Sequence, residues 1–402
     1  MKSNRLYNLI GILLTIYLTL KPLYVLNDSP FQVADIILII AFIFVLAFRI
    51  KKRLANKSFT AENSIKLYSV FVVYLIVVNV CSYLSLSGSE IEKTSLIKNN
   101  LYYLFNLLAL IFVYQSYRLL GNSIKRFFCF GCFTSMIIVA LGIALKSGLS
   151  SRNSGFFDNP NQLGYYCVLM LTSVILLNNS FKLLEKITII LIGAAGVLFS
   201  ESIASVVAFV ISLFLFFVIK SYSFIANGNR LKFDLKTAVV VLLMVVILIM
   251  VYLKFNNVFL KGFDTLVARL NTDSDLSINL GASRGYNRIG EIGASIITGV
   301  GEGAFFRFKT MVGNETHSSY ATILVSYGII GSLIFALFFR QIVHKSFKTL
   351  AYFMLVFTGP LLYSFSHNGL RNTILWMLIM LFCLFVYDKQ KTNERVPTND
   401  KE

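Results

Sequence analysis

Charge is scarce in this sequence. Asp, Glu, Lys and Arg make up 14% of its 402 residues, against about 25% in a soluble domain. A larger core cannot explain the deficit, because a soluble fold of any size still has to hydrate its surface. Hydrophobic residues reach 56% and mean hydropathy is +0.73. The chain therefore reads as an all-α, polytopic integral membrane protein. Other absences narrow the reading. The five cysteines, Cys81, Cys129, Cys132, Cys167 and Cys383, all fall in apolar segments, which leaves none for a disulfide framework in external loops. Cys129-x-x-Cys132 has redox spacing but no strand beside it, so it reads as two small buried hydrophobes. No basic run alternates with stacking aromatics outside the apolar segments, which argues against nucleic acid despite a net charge of +18. Internal repeats are missing, and the centres of the apolar segments hold almost no ionisable residues. Transporters and ion channels usually show one or both. Lys2 and Arg5 precede the first apolar stretch with no A-x-A pattern after it, so this stretch is expected to be a retained helix.

Apolar segments near 6–24, 33–48, 66–86, 100–117, 127–145, 163–179, 187–199, 203–219, 237–253, 319–339, 349–365 and 372–387 are expected to be about twelve transmembrane helices. Residues 1–253 then hold helices one to nine and 254–318 a long external (periplasmic) loop. Residues 319–387 hold helices ten to twelve, and 388–402 a cytoplasmic tail. The run 187–220 is too long for one crossing at 1.5 Å per residue. Ser200-Glu201-Ser202 interrupts it, giving either two short helices at a tight turn or a re-entrant hairpin. With both termini inside, 24 of the 37 Lys and Arg residues fall on the cytoplasmic side, as the positive-inside rule requires. A loop as long as 254–318 is usually functional. Its middle, 283–298, is expected to be a short helix, with Ile289, Ile292, Ile296 and Ile297 as its apolar positions.

Polar residues gather at the ends of the spans assigned to the external face. They are Arg152 to Asn161, the Glu201 turn, the long loop, and Ser366-His367-Asn368-Gly369-Leu370-Arg371. This distribution suits chemistry at a membrane boundary on an amphiphile with an anionic head group. His317-Ser318 is followed after nine residues by Gly328-Ile329-Ile330-Gly331. Arg152-x-x-Gly155 leads to Asp158-Asn159-Pro160-Asn161, and Ser283-Arg284 leads to Gly299-Val300-Gly301-Glu302-Gly303. In this order the stretches resemble the O-antigen ligase and polysaccharide polymerase superfamily of bacterial inner membranes. As architecture the resemblance covers most of the chain; as motif it covers about four short stretches.

The resemblance implies a GT-C-like membrane glycosyltransferase acting on undecaprenyl-diphosphate-linked glycans. It implies no metal and no other cofactor; Asp273-x-Asp275 has metal-site spacing but reads as a solvated loop. A chain-length-determining co-polymerase is an implied partner. His317 and Arg284 are the catalytic candidates: His317 for the acceptor hydroxyl, and Arg284 for the leaving diphosphate, which guanidinium matches bidentately. Arg152, Arg288, Arg371, His367 and Glu201 are the substrate-binding candidates. Each has a plainer reading. His317 can cap the tenth span, Arg284 can anchor at the interface, Arg152 can bind lipid head groups, and His367 and Glu201 can serve helix ends. Gly328 and Gly331 suit close helix packing, and Pro160 and Asn161 suit the start of the sixth helix. Ligases of this superfamily commonly carry an arginine in the turn after the seventh span, where this chain has Ser200-Glu201-Ser202. A second cation beside Arg284 must then come from Arg152, Arg288 or Arg371. The expected function is a polymerase of lipid-linked repeat units for O-antigen or capsule. A ligase transferring the glycan to lipid A–core or protein is the alternative, and a lipid-linked glycan flippase the third reading.

The topology makes a direct prediction. Single cysteines at Asn271 and Asn227 should react with a membrane-impermeant thiol reagent from opposite sides of the membrane. Labelling of both from one side would overturn the helix count.

Overall fold

A computed structural model describes residues 2–26, 31–51, 59–85, 90–146, 152–226, 285–286, 288–303, 316–344 and 346–393. Arg284, Asp273, Asp275 and the apolar segment 237–253 lie outside the described residues, as do Asn227 and Asn271. Within them the chain is helical and contains no strand. The helices are α1 (Lys2–Leu20), α2 (Val33–Lys51), α3 (Phe59–Ser85), α4 (Glu90–Leu120), α5 (Ser123–Lys146) and α6 (Pro160–Leu176). They continue as α7 (Leu183–Ser200), α8 (Ile203–Ala226), the single turn α9 (Arg288–Glu291), α10 (Ser319–Val343), α11 (Phe347–Ser366) and α12 (Thr373–Asn393). Eleven of the twelve apolar segments coincide with one of these helices. Six helices, α3, α4, α5, α7, α10 and α11, are long and apolar enough to cross a membrane. Along α3, Val70, Val73, Val77, Val80 and Leu84 form one exposed apolar stripe, which suits lipid better than water. Together these features mark a membrane-embedded, polytopic helical protein.

The 187–220 run divides at the expected place. Glu201 takes a left-handed conformation (φ 48°, ψ 31°) as the C-cap of α7, and α8 begins two residues later. At the centre of the fold is α6. Asn159 caps it by accepting from the Gln162 amide at 3.0 Å, and Pro160 opens it, where a missing N–H costs nothing. Every residue from Leu163 to Leu176 is buried, as expected of a helix that is apolar on all faces. It packs against α5, α7, α8, α11 and α12. Small residues permit the close approaches: a Cβ on Gly196 would lie 2.6 Å from the Cys167 sulfur of α6. Trp376, the one tryptophan, is fully buried. It packs on Tyr68 with ring centroids 4.3 Å apart and donates its indole N–H to the Leu370 carbonyl at 2.6 Å.

The largest departure from regular helix is in α10. Gly328 has φ 66° and ψ −168° inside it, so the helix breaks after nine residues and restarts. The carbonyls released by the break find partners in the segment 297–301. Val300 N–H donates to Val325 O at 3.2 Å, Gly301 N–H to Ser326 O at 2.9 Å, and Ile330 N–H to Ile297 O at 3.1 Å. Backbones this close leave no room for side chains: a Cβ on Gly328 would meet Ile297 O at 2.5 Å, and one on Gly299 would meet Ser326 O at 2.2 Å. Gly328 is thus a helix break that receives a second segment, rather than a simple packing glycine. Gly331, with a virtual Cβ 3.0 Å from the Tyr74 ring of α3, does serve close packing.

The helix expected over 283–298 is cut short. Residues 288–291 make one α turn and Gly293–Ile296 a turn of 3-10 helix, because Gly293 adopts φ 52° between them. Its apolar face survives in part: Ile292 packs with Val300 and Val325, and Ile289 and Ile296 sit against them. Ile297 is 54% exposed.

Gly121 and Gly328 allow a controlled comparison. Both have positive φ, but a Cβ on Gly121 meets nothing within 4 Å. Gly121→Ala should cost only the left-handed penalty of about 1–2 kcal/mol. Gly328→Ala adds a backbone clash and should lower the melting temperature of the detergent-solubilised protein clearly further. Equal losses would mean that the 297–301 segment does not dock in the break.

Candidate functional site

Several helix ends meet around a cavity of about 400 Å³. The N-terminal ends of α2, α6, α10 and α12 contribute Gln32 and Asp35, then Asn159, Asn161 and Gln162, then His317, and Asn372 with Thr373. The C-terminal ends of α1 and α11 contribute Lys21 with Tyr24, and Tyr363 with His367. The first half of α4 adds Lys98, Tyr102 and Phe105. All of these ends lie at one end of the bundle.

Side-chain charge in the cavity is nearly balanced. Lys21 pairs with Asp35 at 2.6 Å, with both side chains less than a tenth exposed, and Asp35 also accepts the Gln32 amide at 2.9 Å. Arg371 donates through Nε and Nη2 to one oxygen of Glu302, at 3.0 and 2.6 Å. Its guanidinium lies 5.5 Å from the Tyr102 ring centre. Lys98 and Asp158 complete the charged lining. The arginine-rich site expected from sequence is therefore less cationic than its residue types suggest. The helix ends decide the sign. Each N-terminus carries roughly half a positive charge and each C-terminus the opposite, so four against two leave the equivalent of about one positive charge. Such a cavity favours an anion.

One wall is an aromatic stack. Tyr165 and Tyr363 lie parallel with centroids 4.1 Å apart, and Tyr363 stacks on the His367 ring at 4.8 Å. The Tyr363 hydroxyl donates to Asn161 O at 3.2 Å. Ser366 Oγ meets His367 Nδ1 at 2.9 Å. Ser319 Oγ at the start of α10 donates to His367 O at 3.1 Å and accepts the Gly369 amide at 3.0 Å. The α11–α12 turn and the start of α10 are thus fixed to each other.

The candidates from sequence divide on this geometry. His317, Arg371 and His367 line the cavity, as do Asp158, Asn159 and Asn161 of the Arg152–Asn161 stretch. His317 is exposed and is not the helix cap; Ser318 is, accepting from the Ala321 amide at 3.4 Å. Arg152 lies behind the lining, donating from Nε to Ser200 O at 3.2 Å and from Nη2 to Asn161 Oδ1 at 2.9 Å. It therefore brings a cation to the α7–α8 turn, whose own sequence has none. Glu201 is buried in that turn and does not line the cavity. Arg288 is fully buried and donates to Thr316 Oγ1 at 3.0 Å; it supports the residue next to His317 from behind. Among the described residues, no group of three or more His, Cys, Asp or Glu side chains is placed to hold a metal ion.

Neither family models nor curated proteins nor solved structures give a match to this chain. The site has to be read from its own geometry.

Glu302, Lys21, Asp35 and Lys98 are among the residues at the site that were not singled out as candidates from sequence. Glu302 is 2% exposed. Besides Arg371, its carboxylate accepts from the Tyr327 hydroxyl at 2.5 Å and from Asn368 Nδ2 at 3.4 Å. The available signal was a carboxylate between two glycines in a chain with only 19 acids. Lys21 and Asp35 lie 14 residues apart across a connection, and no local pattern pairs them.

Proposed function

We propose that this protein is a membrane glycosyltransferase of the polysaccharide polymerase type. It joins undecaprenyl-diphosphate-linked oligosaccharide repeat units, for O-antigen or capsule, at the outer face of a bacterial inner membrane. In this reading the chain crosses the membrane about twelve times with both termini cytoplasmic. Residues 254–318 and the cavity face outward, and a chain-length-determining co-polymerase is a natural partner. The observation that carries the reading is convergence. Residues of three separate motif-bearing stretches, Asp158, Asn159 and Asn161, His317, and His367 with Asn368 and Arg371, line one cavity that four helix N-termini border.

The chemistry follows from that field. An acceptor hydroxyl attacks the anomeric carbon of the donor, a new glycosidic C–O bond forms, and the C–O bond to the lipid diphosphate breaks. The leaving diphosphate takes the bonding electron pair, and the helix N-termini with Lys98 and Arg371 stabilise the growing charge. His317, exposed at the cavity, takes the hydroxyl proton and returns it to solvent, a step worth typically 10²–10⁴-fold. Arg284 is assigned to the same diphosphate on the motif alone. A ligase acting on lipid A–core or protein is the second reading, favoured by one observation. Arg152 donates to Ser200 O, so the missing turn arginine no longer separates the two activities.

The purified protein, given only its undecaprenyl-diphosphate-linked repeat unit and a chelator, should make a ladder of longer glycans. His317→Ala should abolish the ladder with its melting temperature near wild type. A single product that forms only when lipid A–core or an acceptor protein is added would replace the polymerase by the ligase. A fully active His317→Ala would remove the histidine from the mechanism.

A further inference from the structure

The Glu302–Arg371 pair joins two parts of the molecule. Glu302 belongs to the 297–303 strap, which packs on the short turns at 288–296 and on the long helices. Its amide donates to Asn79 Oδ1 at 2.9 Å, and its carbonyl accepts from Asn99 Nδ2 at 3.0 Å. One residue pair back, Val300 O accepts from Ser82 Oγ at 2.9 Å. The carboxylate is therefore fixed through its backbone to α3 and α4. It is also tied to α10 through Tyr327, the residue just before the Gly328 break. Its Oε1 atom faces the back of the cavity wall, where Arg371 and Asn368 are both held by it and both line the cavity.

We infer that Glu302 is the fixed counter-ion and positioning residue of Arg371. It holds the guanidinium in one orientation against the wall and cancels much of its charge before any ligand arrives. An anion in the cavity then meets a donor fork whose pull is moderated. This matters in a reaction that must release an anionic product. A fully charged arginine would bind substrate diphosphate and product diphosphate alike, which lowers KM without raising turnover and slows release. The inference deepens the function proposed above and rests on its claim that the cavity takes a diphosphate. It does not depend on the identity of the glycan.

The test uses inorganic pyrophosphate titrated into the detergent-solubilised full chain, read by calorimetry or by the concentration dependence of thermal stabilisation. Glu302→Gln keeps the shape and removes the charge. It should bind pyrophosphate about tenfold tighter than wild type, the size expected when one nearby charge at a protein surface is uncovered. Glu302→Asp keeps the charge and should bind within about twofold of wild type. The double variant E302Q/R371Q removes the donor fork along with both charges, so it should lose the gain of Glu302→Gln and bind no tighter than wild type; with Arg371→Gln as the fourth corner it completes a double-mutant cycle. A purely structural Glu302 would lower melting in the single variants but would not tighten binding. The inference is overturned if folded Glu302→Gln binds no tighter than wild type. It is equally overturned if the double variant keeps the tenfold gain, which would show that the gain does not come from uncovering Arg371. If no variant binds pyrophosphate, the counter-ion role falls, while the ladder assay still decides the polymerase reading. Given a ladder, Glu302→Gln should lower KM and kcat together.

Discussion

A helix buried among apolar neighbours must satisfy every backbone polar group, either within itself or through another segment. At Gly328, α10 gives up part of its own ladder, and the strap around Val300 takes it over. Much else at the site depends on this exchange. It requires glycine at 328 and 299, because the backbones approach too closely for any Cβ. It leaves a nine-residue first half of α10, capped by Ser318, with His317 just ahead of it. It also delivers Glu302 to the rear of the cavity wall. Two sequence stretches that look independent, Gly299 to Gly303 and Gly328 to Gly331, are the two sides of one joint.

The second organising fact is how charge is distributed around the cavity. Two of its basic side chains are held by buried or nearly buried carboxylates, Lys21 by Asp35 and Arg371 by Glu302. Such pairs contribute little net stability, because desolvation offsets most of the attraction. What they do fix is geometry: each pins a helix end to a neighbouring segment. The attraction for an anion is left to the helix N-termini, which are fixed in place by the packing of their helices. A preorganised field of that kind needs no rearrangement when charge develops, which is what the proposed glycosyl transfer asks of it. Proximity to the anion then falls to His317 and to the Arg371 fork.

Much of the fold was legible because long apolar runs have few alternatives. The split followed from length, since one helix over 187–220 would overrun a bilayer, and its place from the polar Ser200-Glu201-Ser202. The start of α6 followed from Pro160 and Asn161. The helix expected over 283–298 failed where its glycines counted for more than its isoleucines: Gly293 takes a left-handed φ of 52° in the middle of the apolar pattern. For the site, residue type was visible but partnership was not. Arg152, Arg288 and Arg371 looked equivalent as cations in a motif-bearing stretch. In three dimensions they are different: Arg371 borders the cavity, Arg152 braces the α7–α8 turn, and Arg288 is fully buried behind Thr316. Nothing local in the sequence ranks them, because the difference lies in residues 28 to 69 positions away. Glu302 escaped notice for the same reason; its importance is its four-donor environment, which only packing creates.

The central claim is that one cavity, framed by the first half of α10 and the starts of α6 and α12, takes a lipid-borne diphosphate. The most direct measurement is a cryo-electron microscopy structure of the full chain in nanodiscs with its undecaprenyl-diphosphate-linked repeat unit. Diphosphate density beside His317 and Arg371, with the lipid tail leaving between helices toward the bilayer, is the predicted result. Diphosphate density at the opposite end of the bundle, near Arg126 and Glu185, would contradict it.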